Sequence, residues 1–330
     1  MGRLRIPHLI GLVLAGIVVG KYGLNILNRD DSFELFGRVG LFYIMFLAGL
    51  EMDLEGLKKN RMRVGTFGLL TFSLPMVLTV WASLSILHLS MQASMLIGCM
   101  MASNTLIAYP IVGRYGLQRS TASTLSVGSS MISLFLALVV LAAIVNSAQG
   151  TSSWAFWLLF VAKIVVFCAF MLVVIPRFTR WFLRKYSDAV MQFTFVMAIL
   201  FLSAVLSDFI GLEGIFGAFF AGLVMNRFIP KVSPLMNRIE FTGNAIFIPY
   251  FLIGVGMLIN IRLLFHGNTI LTIMLCLVVF GTLGKALAAY ATTSFFRMPR
   301  LWGDLMFGLT SAHAAGAIAM VMVGIGLEVS

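Results

Sequence analysis

One lysine stands in the middle of an apolar run that is long enough to cross a lipid bilayer. Lys285 is the sixteenth residue of ILTIMLCLVVFGTLGKALAAYATTSFF, which spans residues 270–296. An ammonium at the centre of a bilayer costs at least about 2.5 kcal/mol, and such residues usually pair with another group and mark an ion or proton pathway. The lysine therefore predicts a buried polar site, and the expected partner is a carboxylate.

Two other apolar runs carry polar residues at a similar depth. One contains Asn104 and Thr105 shortly before Pro110, and the other, near the C-terminal end, contains Ser311 and His313. Polar and small residues near proline or glycine are typical of helices that unwind where they line a cavity. Paired interruptions in two halves predict an inverted-repeat transporter with a site near the bilayer midplane. The alternative is that these residues only allow close helix packing.

The composition of the chain agrees with a membrane location for these runs. Of its 330 residues, 60% are hydrophobic and 11% are charged, whereas a soluble domain carries about 25% charged residues. Runs of about twenty apolar residues predict an all-α polytopic membrane protein with about eleven transmembrane helices. The predicted spans are 6–20, 33–50, 64–87, 92–112, 121–146, 154–176, 189–207, 211–228, 239–260, 269–296 and 301–327.

The net charge of +11 is explained by topology. When the segments between spans are assigned to alternate sides, 17 Lys and Arg residues fall on the side of the N-terminus and three on the other. This bias predicts a cytoplasmic N-terminus, and no nucleic-acid partner is expected. The cysteines all lie in apolar runs without disulfide or metal spacing, so they are predicted to be core residues: Cys99, Cys168 and Cys276.

Four segments, in order along the chain, resemble one transporter family. They are LIGLVLAGIVVGKYGLNIL (9–27), VGLFYIMFLAGLEMDLEGLKK (39–59), GLEGIFGAFFAGLVMNR (211–227) and RIEFTGNAIFIPYFLIGVGMLIN (238–260). The sequence is similar in these segments to the monovalent cation:proton antiporter-2 family, which includes sodium/proton and potassium/proton exchangers. The resemblance covers nearly the whole chain.

The resemblance implies an inverted-repeat antiporter fold with two crossed discontinuous helices. It implies one transmembrane domain over 1–330, with core ion-translocating repeats at 64–146 and 269–330. The segments 1–63 and 147–268 are then mainly scaffold, dimerisation and linker helices, and a homodimer is expected. The family has one further helix before residue 6 and one after residue 330, so the resemblance also implies that both lie outside this sequence.

The family pattern also bears on the lysine. Gly284 and Lys285 match a GK pair whose lysine commonly pairs with an aspartate on the helix that follows the first broken one. Here the matching position is Leu134, and no Asp or Glu occurs between Glu55 and Asp188.

The same helix carries hydroxyl groups that can ligate sodium or potassium but do not titrate near pH 7. We therefore hypothesise that Lys285 carries the proton, while hydroxyls and backbone carbonyls hold the cation. The candidate ion-translocation residues are Lys285, Ser133, Ser130, Ser129, Asn104, Thr105, Ser311 and His313.

Three functional interpretations remain at this point. The first, which we adopt, is a monovalent cation (Na+ or K+):proton antiporter of the inner or plasma membrane. The second is a transporter-fold protein without coupling, either a carrier of another solute or a sensor, because Leu134 replaces the acid. The third is an inactive, truncated fragment. An enzyme, a cofactor and a resident metal are not expected, since no nucleophile–base set or ligand spacing is present.

Overall fold

The structure is a computed structural model, and it describes residues 8–27, 30–104, 108–118, 120–148, 154–260 and 268–312. The described residues are almost entirely helical. In chain order, the helices are α1 (His8–Val19), α2 (Asp31–Glu51), α3 (Leu54–Lys59), α4 (Arg61–Ser85), α5 (Met91–Ala102), α6 (Tyr109–Arg114), α7 (Thr121–Ala148), α8 (Trp154–Ala169), α9 (Ile175–Lys185), α10 (Ala189–Phe209), α11 (Gly214–Met225), α12 (Pro234–Thr242), α13 (Ile248–Leu258), α14 (Asn268–Phe295) and α15 (Arg300–Thr310).

Among the described residues, seven helical segments are long and apolar enough to cross a membrane. They are Phe33–Glu51, Arg61–Ser85, Thr121–Ile144, Leu158–Lys185, Ala189–Phe209, Pro234–Leu258 and Leu271–Phe295. Two of these segments each consist of two helices joined by a single π-helical turn. Phe170–Val174 joins α8 to α9, and Gly243–Phe247 joins α12 to α13. Shorter apolar helices occupy the predicted spans 6–20, 92–112 and 211–228, so the predicted number of about eleven spans is not confirmed.

Contacts divide the chain into two compact units. The first unit comprises Met1–Glu51 and Leu158–His266, and the second comprises Met52–Trp157 and Gly267–Ser330. The assignment of 64–146 and 269–330 to an ion-translocating core remains a prediction, because contacts alone do not show which unit carries ions.

Glycines bring pairs of helices close together in the first unit. A Cβ on Gly222 of α11 would collide with the carbonyl oxygen of Phe46 on α2, and a Cβ on Gly49 would collide with that of Phe219. Helices α1 and α13 meet in the same way. Small residues that let backbones approach are the usual means of packing helices in lipid, where no hydrophobic force drives association.

Helix α4 is the centre of the second unit. It packs against α5, α7 and α14, and α15 packs against α7 and α14. An apolar cluster near the start of α4 includes Phe67, Leu125, Ala288 and Met306. This packing holds α14 beside the middle of α4, where Pro75 interrupts the hydrogen-bonding pattern of the helix.

Candidate functional site

The site begins where α5 stops. The helix ends at Ala102, Ser103 has an extended backbone (φ −64°, ψ 143°), and the next helix among the described residues begins at Tyr109. This is the interruption that Asn104 and Pro110 predict. The last carbonyl groups of a helix have no partner within it, so Ala102 can accept hydrogen bonds from other helices. The Ser133 hydroxyl of α7 donates to this oxygen at 2.7 Å.

The Lys285 ammonium is held by three oxygen atoms. It donates to the carbonyl oxygen of Ala102 at 2.7 Å, to that of Thr71 at 3.0 Å and to Asn104 Oδ1. An ammonium has three donors, so all of them are used, and none of these acceptors is a carboxylate. The side chain is fully buried, at 0% exposure. Three neutral oxygens therefore take the place of the missing carboxylate. We refer to these oxygens of Thr71, Ala102 and Asn104 as the cage.

Pro75 explains why one of these oxygens is available. In an α-helix the carbonyl of Thr71 would accept from the N–H of residue 75, four positions later, but proline has no N–H. Gly284 lets α14 come close enough to use the freed carbonyl. A Cβ at Gly284 would lie 2.5 Å from Pro75 Cα and 2.6 Å from its nitrogen. In the GK pair, Gly284 thus permits the close approach of α14 to α4, and Lys285 donates to the freed Thr71 carbonyl.

The electrostatics of this position are close to balance. The negative end of the α5 dipole favours a cation near Ala102, and hydrogen bonds to a charged group contribute about 1.5–3 kcal/mol each. The effective penalty for burying an ion is several kcal/mol. The hydrogen bonds and the helix dipole are therefore of the same order as the burial penalty that they offset.

The structure brings together some of the predicted site residues. Lys285, Asn104 and Ser133 converge on the end of α5. Ser130 lies one turn before Ser133 on α7, and its buried hydroxyl has no hydrogen-bond partner among the described residues. Ser129, another predicted site residue on α7, instead donates to the Ser126 carbonyl of its own helix at 3.0 Å.

Of the remaining predicted residues, one bonds within its own helix and two lie outside the described residues. Ser311 caps the end of α15 by donating to the Phe307 carbonyl at 2.6 Å. Thr105 and His313 lie outside the described residues, as does the predicted crossing of the second broken helix. Leu134, at the position that matches the family aspartate, is buried at 1% exposure.

Sequence reasoning missed two members of the cage, Thr71 and Ala102. Both contribute backbone carbonyls, which every residue possesses, so side-chain types could not identify them. A signal was nevertheless present for Thr71, because a proline inside a helix frees the carbonyl four residues earlier. Pro75 therefore indicates, from the sequence alone, that the Thr71 carbonyl lacks its helical partner.

Comparisons with known proteins agree with this architecture. A family model described as "Sodium/hydrogen exchanger, transmembrane" matches residues 1–329. The Na(+)/H(+) antiporter NhaS5 of Synechocystis is 35% identical over 98% of this chain, which spans 46% of that relative's length. The Na(+)/H(+)-K(+) antiporter GerN of Bacillus cereus is 26% identical over 99% of the chain and 83% of its own length.

A solved structure shows the same fold. The sodium proton antiporter MjNhaP1 from Methanocaldococcus jannaschii aligns with a TM-score of 0.61 over 99% of this chain and 83% of that one, at 16% identity. The family match, the relatives and the fold confirm the resemblance that the four sequence segments indicate. This helical integral membrane protein belongs to the sodium/hydrogen exchanger family.

Proposed function

We propose that the protein exchanges a monovalent cation, sodium or potassium, for a proton. The observation that carries the proposal is the Lys285 ammonium, which is buried at the end of α5 among three neutral oxygens. Backbone carbonyl and amide oxygens are also ligands for hard cations. The same oxygens can therefore hold either the protonated lysine or a cation from solution.

Competition for these oxygens couples the two ions. While Lys285 is protonated, its three N–H groups occupy Thr71, Ala102 and Asn104. When it loses the proton, it keeps only two N–H donors and no charge, and the oxygens become available to a cation. Ser133 is already directed at Ala102, and Ser130 has an unused hydroxyl one turn away. These two serines are the further ligands that we assign to the bound cation.

The direct test is ion exchange in proteoliposomes. Purified protein is reconstituted with an internal pH-sensitive dye, and sodium or potassium is added outside under an imposed pH gradient. We expect cation-dependent proton movement from the parent chain. Lys285→Ala should remove the pH dependence of this exchange, while the variant still elutes as a folded species in detergent. Normal pH-dependent exchange by that variant would assign Lys285 a structural role only.

A second variant tests the position of the missing acid. Leu134→Asp places a carboxylate where the family pattern has one, and an opposite charge nearby favours the protonated form of a lysine. We expect its pH profile of exchange to differ from that of the parent. If neither the parent nor Leu134→Asp moves sodium or potassium against a proton gradient, the proposed function is wrong.

We further propose a plasma- or inner-membrane location with a cytoplasmic N-terminus, based on the 17-to-3 bias of basic residues, and a homodimer, as the family resemblance implies. Single cysteines in the segment from Lys58 to Arg63, where α3 meets α4, should then resist an impermeant maleimide on intact cells. Labelling of that segment, with protection of a cysteine beside Arg262, would reverse the orientation. Crosslinking in native membranes followed by mass measurement tests the dimer.

A further inference from the structure

Three hydroxyl groups between α4 and α5 are buried and unused. Thr79 and Ser83 on α4 and Ser94 on α5 are each 0% exposed. None of their oxygen atoms has a hydrogen-bond partner in the part of the chain that the structure describes. We refer to Thr79, Ser83 and Ser94 as the hydroxyl row.

The packing of α4 and α5 places Ser83 and Ser94 on facing surfaces. A Cβ at Gly98 of α5 would lie 2.5 Å from Val80 Cγ2 and 3.2 Å from the carbonyl oxygen of Met76. Residues 86–90 join the two helices, which therefore run antiparallel. Ser94 precedes Gly98 by about one turn, so it lies beside the turn of α4 that follows Val80 and includes Ser83. Two hydroxyls that face each other without bonding leave both groups available to a bridging molecule.

The hydroxyl row is aligned with the lysine site. Thr71, Pro75, Thr79 and Ser83 follow one another at intervals of four residues and are all buried, so they lie along one face of α4. Thr79 is about 12 Å along the helix axis from Thr71, since each residue adds about 1.5 Å. The row therefore continues from the Lys285 cage towards the C-terminal end of α4.

The chemistry of the cage requires such a route. Carbonyl and amide oxygens accept hydrogen bonds but do not take up a proton near neutral pH, so a proton that leaves Lys285 must pass to water. A buried hydroxyl without a partner costs about 1–3 kcal/mol, and ordered water commonly satisfies such groups. A hydroxyl both donates and accepts, so a row of hydroxyls bridged by water can relay a proton.

We propose that the hydroxyl row binds water and forms a proton pathway between Lys285 and the C-terminal end of α4. The pathway rests on the proposed function, because Lys285 must be the group that carries the proton. Water binding by the row stands on its own evidence, the buried and unused hydroxyls on two facing helices.

Thiol accessibility tests water binding without any transport. In a background that lacks Cys99, Cys168 and Cys276, we introduce Ser83→Cys or Ser94→Cys, with Ala82→Cys as the matched control. Ala82 is also fully buried and lies at the same depth on α4. A small cationic methanethiosulfonate reacts with the thiolate, which forms in water. We expect both test cysteines to react about tenfold faster than the control; equal rates would overturn water binding.

Flux measurements test the pathway. Thr79→Val removes the hydroxyl with little change in shape, and Thr79→Ser keeps it. We expect Thr79→Val to slow proton flux about tenfold or more, with an unchanged KM for the cation, and Thr79→Ser to restore it. A hydroxyl that bonds neither protein nor water gives unchanged flux and equal or higher thermal stability in Thr79→Val, which would overturn the pathway.

The two measurements also separate this inference from the proposed function. If the parent chain exchanges no cation for a proton, the proposed function and the pathway both fail, while the labelling rates still decide whether water reaches the row. If exchange occurs and labelling is equal at all positions, the proposed function stands and the hydroxyl row is not its proton pathway.

Discussion

The two units differ most in what they bury. Of the buried polar and charged residues that the structure describes, sixteen belong to the second unit and three to the first. The second unit places hydroxyls, an amide and an ammonium in its interior, whereas the first unit is held by glycines at close helix crossings. The second unit therefore buries many more polar residues, although the first also encloses the Glu213 carboxylate oxygens, which have no hydrogen-bond partner among the described residues.

Formal charge and burial do not coincide in the first unit. The first unit has an ion pair between Arg38 and Asp208, with nitrogen and oxygen 3.8 Å apart and side chains 61% and 43% exposed. Asp208 also accepts from the Gly214 amide at 2.5 Å, which caps the start of α11. Exposed pairs of this kind contribute about 0–1 kcal/mol. The proposed ion site therefore rests on buried polar content rather than on the number of charges.

Gly222→Ala is expected to have the largest effect on stability. Its Cβ would collide with a backbone carbonyl of α2, and overpacking typically costs about 1–3 kcal/mol. Thermal unfolding in detergent should show a clear loss, while the pH profile of the remaining folded protein stays unchanged. Gly37→Ala is the control, because nothing lies within 4 Å of its added Cβ. An altered pH profile in Gly222→Ala would break the distinction between the units.

Gly284→Ala makes the same chemical change in the second unit, with a different expected result. Its Cβ pushes α14 away from Pro75, and misplacement of a reacting group by about 1 Å can slow a process up to about a hundredfold. We expect exchange to fall at least about tenfold. At Gly281, one turn earlier, the added Cβ meets only the flexible end of Met101. Similar losses in Gly281→Ala and Gly284→Ala would show that any thickening of α14 is harmful.

Pro75→Ala should separate stability from transport within one helix. Alanine favours a helix over proline by about 3 kcal/mol, so thermal stability should rise. Its N–H would compete with Lys285 for the Thr71 carbonyl, and we expect exchange to slow about tenfold as one charged hydrogen bond weakens. Unchanged exchange in a stabilised variant would mean that the Thr71 contact is dispensable.

Two serines of α7 differ in their hydrogen bonds, and substituting them is expected to have the smallest effect on exchange. Ser133 donates to Ala102 at the cage, whereas Ser129 donates within its own helix. Ser133→Ala should slow exchange about fivefold, which corresponds to one ordinary hydrogen bond of about 1 kcal/mol. Ser129→Ala should change it less than about twofold. The same loss in both variants would remove the distinction between a cage hydroxyl and a helix hydroxyl.

The sequence predicted the structure best where the bilayer allows only one kind of backbone structure, the helix. Apolar length identified the long helices, because a chain in lipid must satisfy its own backbone. Lys285 and Asn104 were identified because polar groups at that depth need a reason to be retained. The sequence also showed that Leu134 is not an acid. It could not show what replaces the acid, because backbone carbonyls are present everywhere and only the fold selects two of them.

In the proposed exchange, the neutral character of the cage determines how the membrane voltage would act. With Lys285 protonated the site carries one positive charge, and with Lys285 neutral and one cation bound it again carries one. Each cycle then moves one cation against one proton and no net charge. A voltage does work of about 2.3 kcal/mol per elementary charge per 100 mV, so it would do none here. The cation gradient that balances a fixed pH gradient should therefore be the same when the voltage is clamped at zero or at a large negative value, and a balance point that shifts with voltage would contradict this charge count.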